Sequence, residues 1–344
     1  MISTVEDEKF MRAALRAAEK GLGRTSPNPA VGALIVVKGK VVATGWHCQA
    51  GLPHAEIEAL KKTTSARGAT LYVTLEPCST HGRTPPCVDA IIAAGIRRVV
   101  IGAIDPNPAH AGRAIRILKK AGINVNTGVL GEECRALNKD FNKWITSKMP
   151  WVIAKAGMSL DGRITRKPGE GPWITSPASR AHAQKLRSRV DAILIGAETL
   201  RADNPHLTVR GVRGAKQPWR VVLTRSGNLP PGAHLFTDEH KEKTLVYKNK
   251  PLRAVLRDLG KKQITSVLIE GGGDVLGQAF DRQLVDEAHF YIAPLFLGGP
   301  KVSVGGRGVG SNAQAAQIKN PAYQKIGDDM HVSGDVEYPI VPQD

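Results

Sequence analysis

The sequence predicts two α/β domains in succession, each a sheet covered by helices. Three observations carry that expectation. At 344 residues the chain exceeds what one ordinary hydrophobic core serves. Strand-like and helix-like segments alternate through both halves. The polar stretch Thr146-Ser147-Lys148-Met149, closed by Pro150, interrupts the alternation. The expected domains are therefore residues 1–146 and 150–344.

In the first half, Lys9 to Lys20 sets Phe10, Ala13, Ala14, Ala17 and Ala18 at helical spacing. A hairpin follows, with Ala33 to Val37 and Val41 to Thr44 joined by a Lys38-Gly39-Lys40 turn. Helices are expected at Ala55 to Lys62, Val88 to Ala94 (stopped by Gly95) and Ala114 to Lys120. Strands are expected at Thr70 to Leu75, Arg98 to Ile104 and Asn124 to Gly128. In the second half the strands are Trp151 to Ala156, Asp191 to Gly196, Arg220 to Thr224, Thr244 to Tyr247, Ser266 to Ile269 and His289 to Ile292. Between them, helices are expected at Pro177 to Val190 with Ser176 as cap, Leu252 to Leu259 and Val275 to Arg282. Roughly the last 35 residues carry no motif that can be placed.

Composition narrows the function classes. The longest apolar runs, such as Ala30 to Val37, fall far short of the ~20 residues a membrane-spanning helix needs. The first residues are acidic and lack the order of a secretory signal, so a cytoplasmic location is expected. Net charge is +17, which raises nucleic acid as a partner. Yet 21 basic and 12 acidic residues lie up to Pro150, and 27 and 19 beyond it. An excess spread so evenly suits phosphorylated small substrates and nucleotide cofactors rather than a duplex, and no nucleic-acid partner is expected. Four cysteines without a secretory signal do not make a disulfide framework. Cys134 reads as a small buried hydrophobe in a helical stretch, and Cys48 as a loop residue.

Cys78 and Cys87 differ. His54-Ala55-Glu56 opens a helix, while Pro77-Cys78 ends a strand and Cys87 opens another helix. One imidazole and two thiolates give a metal three ligands and leave a fourth tetrahedral position for water, the pattern of a catalytic zinc rather than a structural one. Cysteines at helix N-termini are also well placed to ionise. Glu56 then has a defined task, moving the proton of the attacking water to a ring nitrogen and to departing ammonia. Residues i and i+2 do not share a face of a regular helix, so His54 and Glu56 can converge only in an irregular first turn.

At this point the chain resembles a known family. Ser26-Pro27-Asn28-Pro29-Ala30-Val31-Gly32, His47 through His54-Ala55-Glu56, Thr74-Leu75-Glu76-Pro77-Cys78, Gly82-Arg83-Thr84-Pro85-Pro86-Cys87 and Asp105-Pro106-Asn107-Pro108 resemble the deaminase domain of bacterial bifunctional riboflavin-biosynthesis enzymes. Eight residues separate Cys78 from Cys87, where nucleic-acid and cytidine deaminases typically have two. The second half is similar to that family's reductase domain, in Lys155 to Gly162, Trp173-Ile174-Thr175, Asp191 to Gly196, Asp203 to Thr208 and Ile269-Glu270-Gly271-Gly272-Gly273.

The resemblance implies a cytidine-deaminase-like three-layer α/β/α domain followed by a dihydrofolate-reductase-like α/β domain. It implies zinc-dependent deamination of a diamino-ribosylaminopyrimidinone 5′-phosphate, then NADPH-dependent reduction of the ribosyl group to ribityl. By matching positions, Asn28, Arg83, Asp105 and Asn107 contact the first substrate. Gly157, Trp173, Thr199, Asp203, Gly271, Gly272 and Gly273 meet NADPH, and Gly171, Arg187, Leu207, Arg210 and Glu270 hold the second substrate. Homo-oligomerisation through the reductase domain is also implied. Read without the family, the glycine loop could let backbone approach a pyrophosphate, Arg187 and Arg210 suit a phosphate, and Trp173 and Leu207 could equally be core residues. No general acid for the hydride step is evident.

Two departures stand out. The family usually carries His two residues after the first Cys, where this chain has Thr80 and then His81. Gly171 stands where a substrate-binding Ser is common, a loss of about 0.5–1.5 kcal/mol if one hydrogen bond goes. The competing readings are a zinc deaminase of nucleic-acid bases with a non-catalytic C-terminal domain, a zinc-stabilised nucleotide-binding module, and a chain with one degenerate domain.

Overall fold

The computed structural model describes residues 4–80, 85–164 and 173–339. Arg83 and Gly171, both expected at the sites, lie outside the described residues, as does His81. The chain divides into two compact units, Met1–Lys148 and Met149–Asp344.

The first unit runs α1 (Val5–Ala18), β1 (Gly32–Val37), β2 (Lys40–Trp46), α2 (Ala55–Leu60), β3 (Thr70–Leu75), α3 (Cys87–Ala93), β4 (Arg98–Ala103), α4 (Arg113–Lys120), β5 (Asn124–Thr127), α5 (Gly131–Leu137) and α6 (Lys139–Ser147). Helix α1 begins earlier than its apolar spacing suggests, because Thr4 caps it by accepting the Asp7 N–H at 3.1 Å. The sheet order is β2-β1-β3-β4-β5. Strand β1 is antiparallel to β2 and β3, whereas β3, β4 and β5 run parallel. Period-2 alternation sends Ala33, Ile35, Val99 and Ile101 to one face, against Ala55 and Ala59 of α2, Ile91 of α3 and Leu118 of α4. Leu34, Val36 and Val100 pack on the other face with Phe10, Met11 and Ala14 of α1 and Cys134 of α5. Both faces are covered, which is why these strands read as unbroken apolar runs.

Glycine sets the depth of the helix that carries the metal-ligand histidine. A Cβ on Gly45 of β2 would stand 2.2 Å from the Ala55 carbonyl oxygen. Only the bare backbone lets the first turn of α2 lie so close to the sheet.

The second unit runs β6 (Trp151–Ser159), α7 (Pro177–Arg187), β7 (Ala192–Gly196), α8 (Ala197–Asp203), β8 (Trp219–Thr224), α9 (His234–Thr237), β9 (Thr244–Lys248), α10 (Leu252–Lys261), β10 (Ser266–Ile269), α11 (Gly273–Asp281), β11 (Glu287–Ala293), β12 (Gln317–Ile326) and β13 (Asp329–Glu337). Its sheet order is β12-β13-β11-β6-β10-β7-β8-β9. From β11 to β9 neighbouring strands are parallel, and β12 and β13 add an antiparallel hairpin. Helices α10 and α11 cover one face through Val255, Leu256, Leu259, Leu276 and Ala279. Leu200 of α8 and Leu235 of α9 cover the other. Ser176 caps α7 as expected, its hydroxyl accepting the Ser179 N–H at 3.3 Å. The hairpin falls in the tail where no motif could be placed. Its outer strand is exposed on both faces and so lacks the clean apolar alternation of a half-buried strand. Among the described residues, no helix is long and apolar enough to cross a membrane.

Arg220 of β8 is 1% exposed, yet charged. Asp238 pairs with it at 2.6 Å, and the carbonyls of Leu235 and His206 and the Thr244 hydroxyl accept three further N–H bonds. Removing one partner of such a pair costs about 3–5 kcal/mol, because the surviving charge stays buried. Asp238→Ala is therefore expected to lower the unfolding free energy of this unit by an amount in that range. A loss under about 1 kcal/mol in urea titration contradicts the buried-charge account.

Candidate active sites

In the first unit three chain connections end at one point. His54 is the N-cap of α2, with an extended backbone (φ −72°, ψ 164°), so its ring leaves the helix and Glu56 follows in the first turn. That geometry answers the i and i+2 difficulty, since His54 is not helical. Cys78 lies just beyond β3, and Cys87 is the first residue of α3. His54 Nδ1 stands 3.4 Å from Cys78 Sγ and 3.3 Å from Cys87 Sγ. The three ligand atoms all lie within 4.8 Å of one another.

These separations fit a zinc ion. With Zn–S of about 2.3 Å and Zn–N of about 2.0–2.1 Å, tetrahedral ligands stand roughly 3.5 Å apart. Donor chemistry agrees, one borderline nitrogen and two soft sulfurs. The Cys87 backbone N–H donates to Cys78 Sγ at 3.2 Å, the helix-terminus contact that favours a thiolate. Hydrogen bonding from the Cys87 thiol and then from His54 pulls Cys78 down to about 4, against the cost of burial. The same Cys87–Cys78 bond and burial push Cys87 up. The hydrogen bond to Cys78 also raises His54. A divalent cation resolves this shared proton into two thiolates and a neutral imidazole.

Glu56 is 3% exposed. Burial first, then the charge on Cys78, pushes its carboxyl up to about 6. A carboxyl lifted towards neutrality is suited to taking and returning a proton. His47 packs edge-on against the His54 ring at 5.3 Å between centroids. It bonds the Pro53 carbonyl through Nδ1 at 3.1 Å and Asn28 Nδ2 through Nε2 at 3.2 Å. Asn28 thus joins the site through His47. Asp105 is buried, and burial raises its carboxyl, with Glu76 and Cys78 near enough to add to the effect. Asp105 Oδ1 accepts the Asn107 N–H at 2.8 Å, which fixes the turn that presents both residues.

The second unit holds a cleft of about 1280 Å³ along the C-terminal ends of β7, β8 and β9. Thr199, Asp203, Gly272 and Gly273 line it, with Arg225 and Lys250 at the β8 and β9 end. Gly271 adjoins it in a left-handed conformation (φ +133°) that glycine favours. A Cβ on Gly273 would stand 2.1 Å from the Val302 carbonyl, so glycine lets the segment around Val302 close on the start of α11. Gly157 and Trp173 are not among the lining residues. Gly157 lies on β6 beside Thr175, and Trp173 is 56% exposed with the Arg180 guanidinium 5.0 Å from its ring.

The reductase-substrate residues separate into different roles. Glu270 takes both arms of Arg187 at 2.6 Å each, and Lys155 Nζ stands 3.8 Å away. Burial alone would raise the Glu270 carboxyl, but Arg187 and Lys155 hold it at about 2. The Arg187 fork that suited a phosphate in sequence is therefore spent on Glu270. Arg187 also bonds the Thr208 carbonyl at 3.1 Å, and Gln184 accepts the Arg210 N–H at 2.9 Å, so α7 fastens the segment leading to exposed Arg210. Leu207 is 3% exposed and belongs to the core, so only its backbone can face a ligand. Lys155 had no assigned role in the sequence, although it begins the Lys155 to Gly162 motif. Its signal is a lysine on a central strand whose neighbours are apolar.

Comparison with known proteins follows the same division. Residues 4–103 match the cytidine and deoxycytidylate deaminase zinc-binding region, and residues 150–332 match the RibD C-terminal domain. The riboflavin biosynthesis protein RibD of Aquifex aeolicus is 39% identical over 345 residues, covering 94% of this chain and 97% of that one. A solved structure of Acinetobacter baumannii RibD superposes with a TM-score of 0.89 at 35% identity, covering 96% of this chain and 99% of that one. The Thermotoga maritima structure of a diaminohydroxyphosphoribosylaminopyrimidine deaminase/5-amino-6-(5-phosphoribosylamino)uracil reductase gives 0.87 at 35% identity, with 97% and 99% covered.

Proposed function

The chain belongs to the RibD family of riboflavin-biosynthesis proteins, and on that premise we propose which of its residues carry each of the family's two reactions. It is a zinc-dependent deaminase and an NADPH-dependent reductase in one polypeptide. The first reaction turns a diamino-ribosylaminopyrimidinone 5′-phosphate into the corresponding uracil, and the second reduces its ribosyl group to ribityl. A nucleic-acid base deaminase with a silent second domain is not favoured by matches that span both units. The observation carrying the site assignment is the convergence of His54, Cys78 and Cys87 beside buried Glu56.

Zinc, held by His54 Nδ1 and the two thiolates, supplies the Lewis acidity that lets water act as a nucleophile near neutral pH. Glu56 accepts the proton of the attacking water and passes it to the ring nitrogen. It then carries the second proton to the amino group, which leaves as ammonia while the carbonyl forms. Asn28, Arg83, Asp105 and Asn107 hold the phosphoribosylated pyrimidine. Asn28 is oriented by His47, and Asp105 and Asn107 by their shared turn.

In the second unit NADPH supplies the hydride. Thr199, Asp203, Gly272 and Gly273 line the cleft that would hold it, and Gly157, Trp173 and Gly271 join them by resemblance. Hydride transfer to C1′ would break the C1′–O4′ bond and leave O4′ in need of a proton. Lys155 provides it: burial lowers its hold on the proton, while Glu270 keeps the ammonium charged and in place. Arg187 and Leu207 shape the site around Glu270, Arg210 meets the phosphate, and Gly171, outside the described residues, joins the substrate set by resemblance alone. Two copies pair through the reductase unit, where β12 offers an open sheet edge with Tyr323 69% exposed. A reducing cytoplasm keeps Cys78 and Cys87 out of disulfides and available as metal ligands.

The two sites are expected to fail independently. Glu56→Gln should keep its zinc and lose about 10²–10⁴-fold in ammonia release, with reduction of the deaminated intermediate intact. Lys155→Met should do the reverse, losing reduction by a comparable factor (about 10²–10⁴) with ammonia release intact. Either variant impairing both activities, or neither, contradicts the assignment.

A further inference from the structure

Glu76 has no task in either reaction as described, yet its surroundings are specific. It is 4% exposed and sits between the end of β3 and the Pro77-Cys78 pair. Its own N–H donates to the Ala103 carbonyl at the end of β4 at 2.9 Å. Its carboxylate receives three backbone N–H groups, all from one segment: Asp105 at 3.3 Å, Gly112 at 2.9 Å and Ala114 at 3.0 Å. Helix α4 has Gly112 as its N-cap, in a left-handed conformation and with no side-chain cap. Glu76 therefore supplies from another strand the acceptor that a capping residue would normally provide. An anion at a helix N-terminus also gains from the macrodipole.

We propose that Glu76 is a positioning residue of the deaminase site, fastening the segment from Asp105 to Ala114 to the strand end that bears Cys78. That segment carries Asp105 and Asn107, so the proposal rests on the reading that they hold the pyrimidine substrate. One carboxylate sets the distance between the metal ligand and the substrate-binding turn. Its chemistry is restrictive, because all three partners donate and only a carboxylate accepts on both oxygens. In glutamine the amide nitrogen must face a donor: turned one way it meets Ala114, and turned the other it meets Asp105 and Gly112. Aspartate is a methylene too short to span the gap.

The experiment measures KM and kcat for ammonia release, together with zinc content, for the full chain and for Glu76→Gln, Glu76→Asp and Asn107→Ala. The expected result is a KM raised at least tenfold in Glu76→Gln and further in Glu76→Asp, with kcat within threefold and one zinc per chain retained. Asn107→Ala is expected to raise KM in the same way. Zinc loss in step with activity in both Glu76 variants overturns the proposal in favour of plain structural support. A fall in kcat at unchanged KM overturns it in favour of a role in the chemistry. If Asn107→Ala raises KM while both Glu76 variants behave as the parent, the substrate reading stands and the Glu76 proposal fails. If Asn107→Ala leaves KM unchanged, the turn does not hold substrate and both fall.

Discussion

The first unit depends on bringing three ligands from separate connections to one point beyond the C-terminal end of the central strand β3. Each stands at the end of a regular element: His54 precedes α2, Cys78 follows β3 and Cys87 begins α3. Each is fixed by regular structure behind it. Gly45 lets α2 sit directly on β2, the parallel pairing of β3 and β4 sets the depth of Cys78, and α3 packs Val88 and Ile91 into the core. Sites supported this way hold geometry more tightly than sites on loops, because moving a ligand means moving a packed element.

The same principle recurs in both units with buried charges. Glu56, Glu76 and Arg220 are buried and the Glu270 side chain nearly so, and each differs in how its charge is satisfied. Glu270 is held ionised by Arg187 and Lys155, and Arg220 is met by Asp238 and backbone carbonyls. Glu76 is met by backbone N–H groups alone. For Glu56, burial and the charge on Cys78 outweigh what His54, its own backbone and the Cys87 thiol return, and its carboxyl rises accordingly. The least compensated carboxyl is the one with a proton to move. Removing a partner from Glu76 or Arg220 costs placement or stability rather than chemistry.

Much of this was legible in the sequence. Strands β3 and β10 fall at the residues that their apolar runs and flanking turns indicate, and the zinc ligands announce themselves through residue type and order. The C-terminal hairpin did not, because β12 and much of β13 are only partly buried and leave a weak period-2 signal. Arg187 shows a different limit. Its residue type fits a phosphate and a carboxylate equally well, and only the fold reveals that Glu270 already occupies its fork. Leu207 is similar, since spacing cannot tell a backbone contact from a core side chain. Lys155 and Glu76 were visible within their motifs, but their partners lie more than 28 residues away in sequence and meet them only through the sheet.

The central claim is that one chain performs both steps in order, the first without NADPH. The most direct measurement gives purified protein the diamino-ribosylaminopyrimidinone 5′-phosphate and follows ammonia and NADPH together. Ammonia release with NADPH omitted, followed on its addition by oxidation of one NADPH per ammonia, is the predicted result. Ammonia release with no NADPH consumed, or NADPH oxidation without ammonia, contradicts the account.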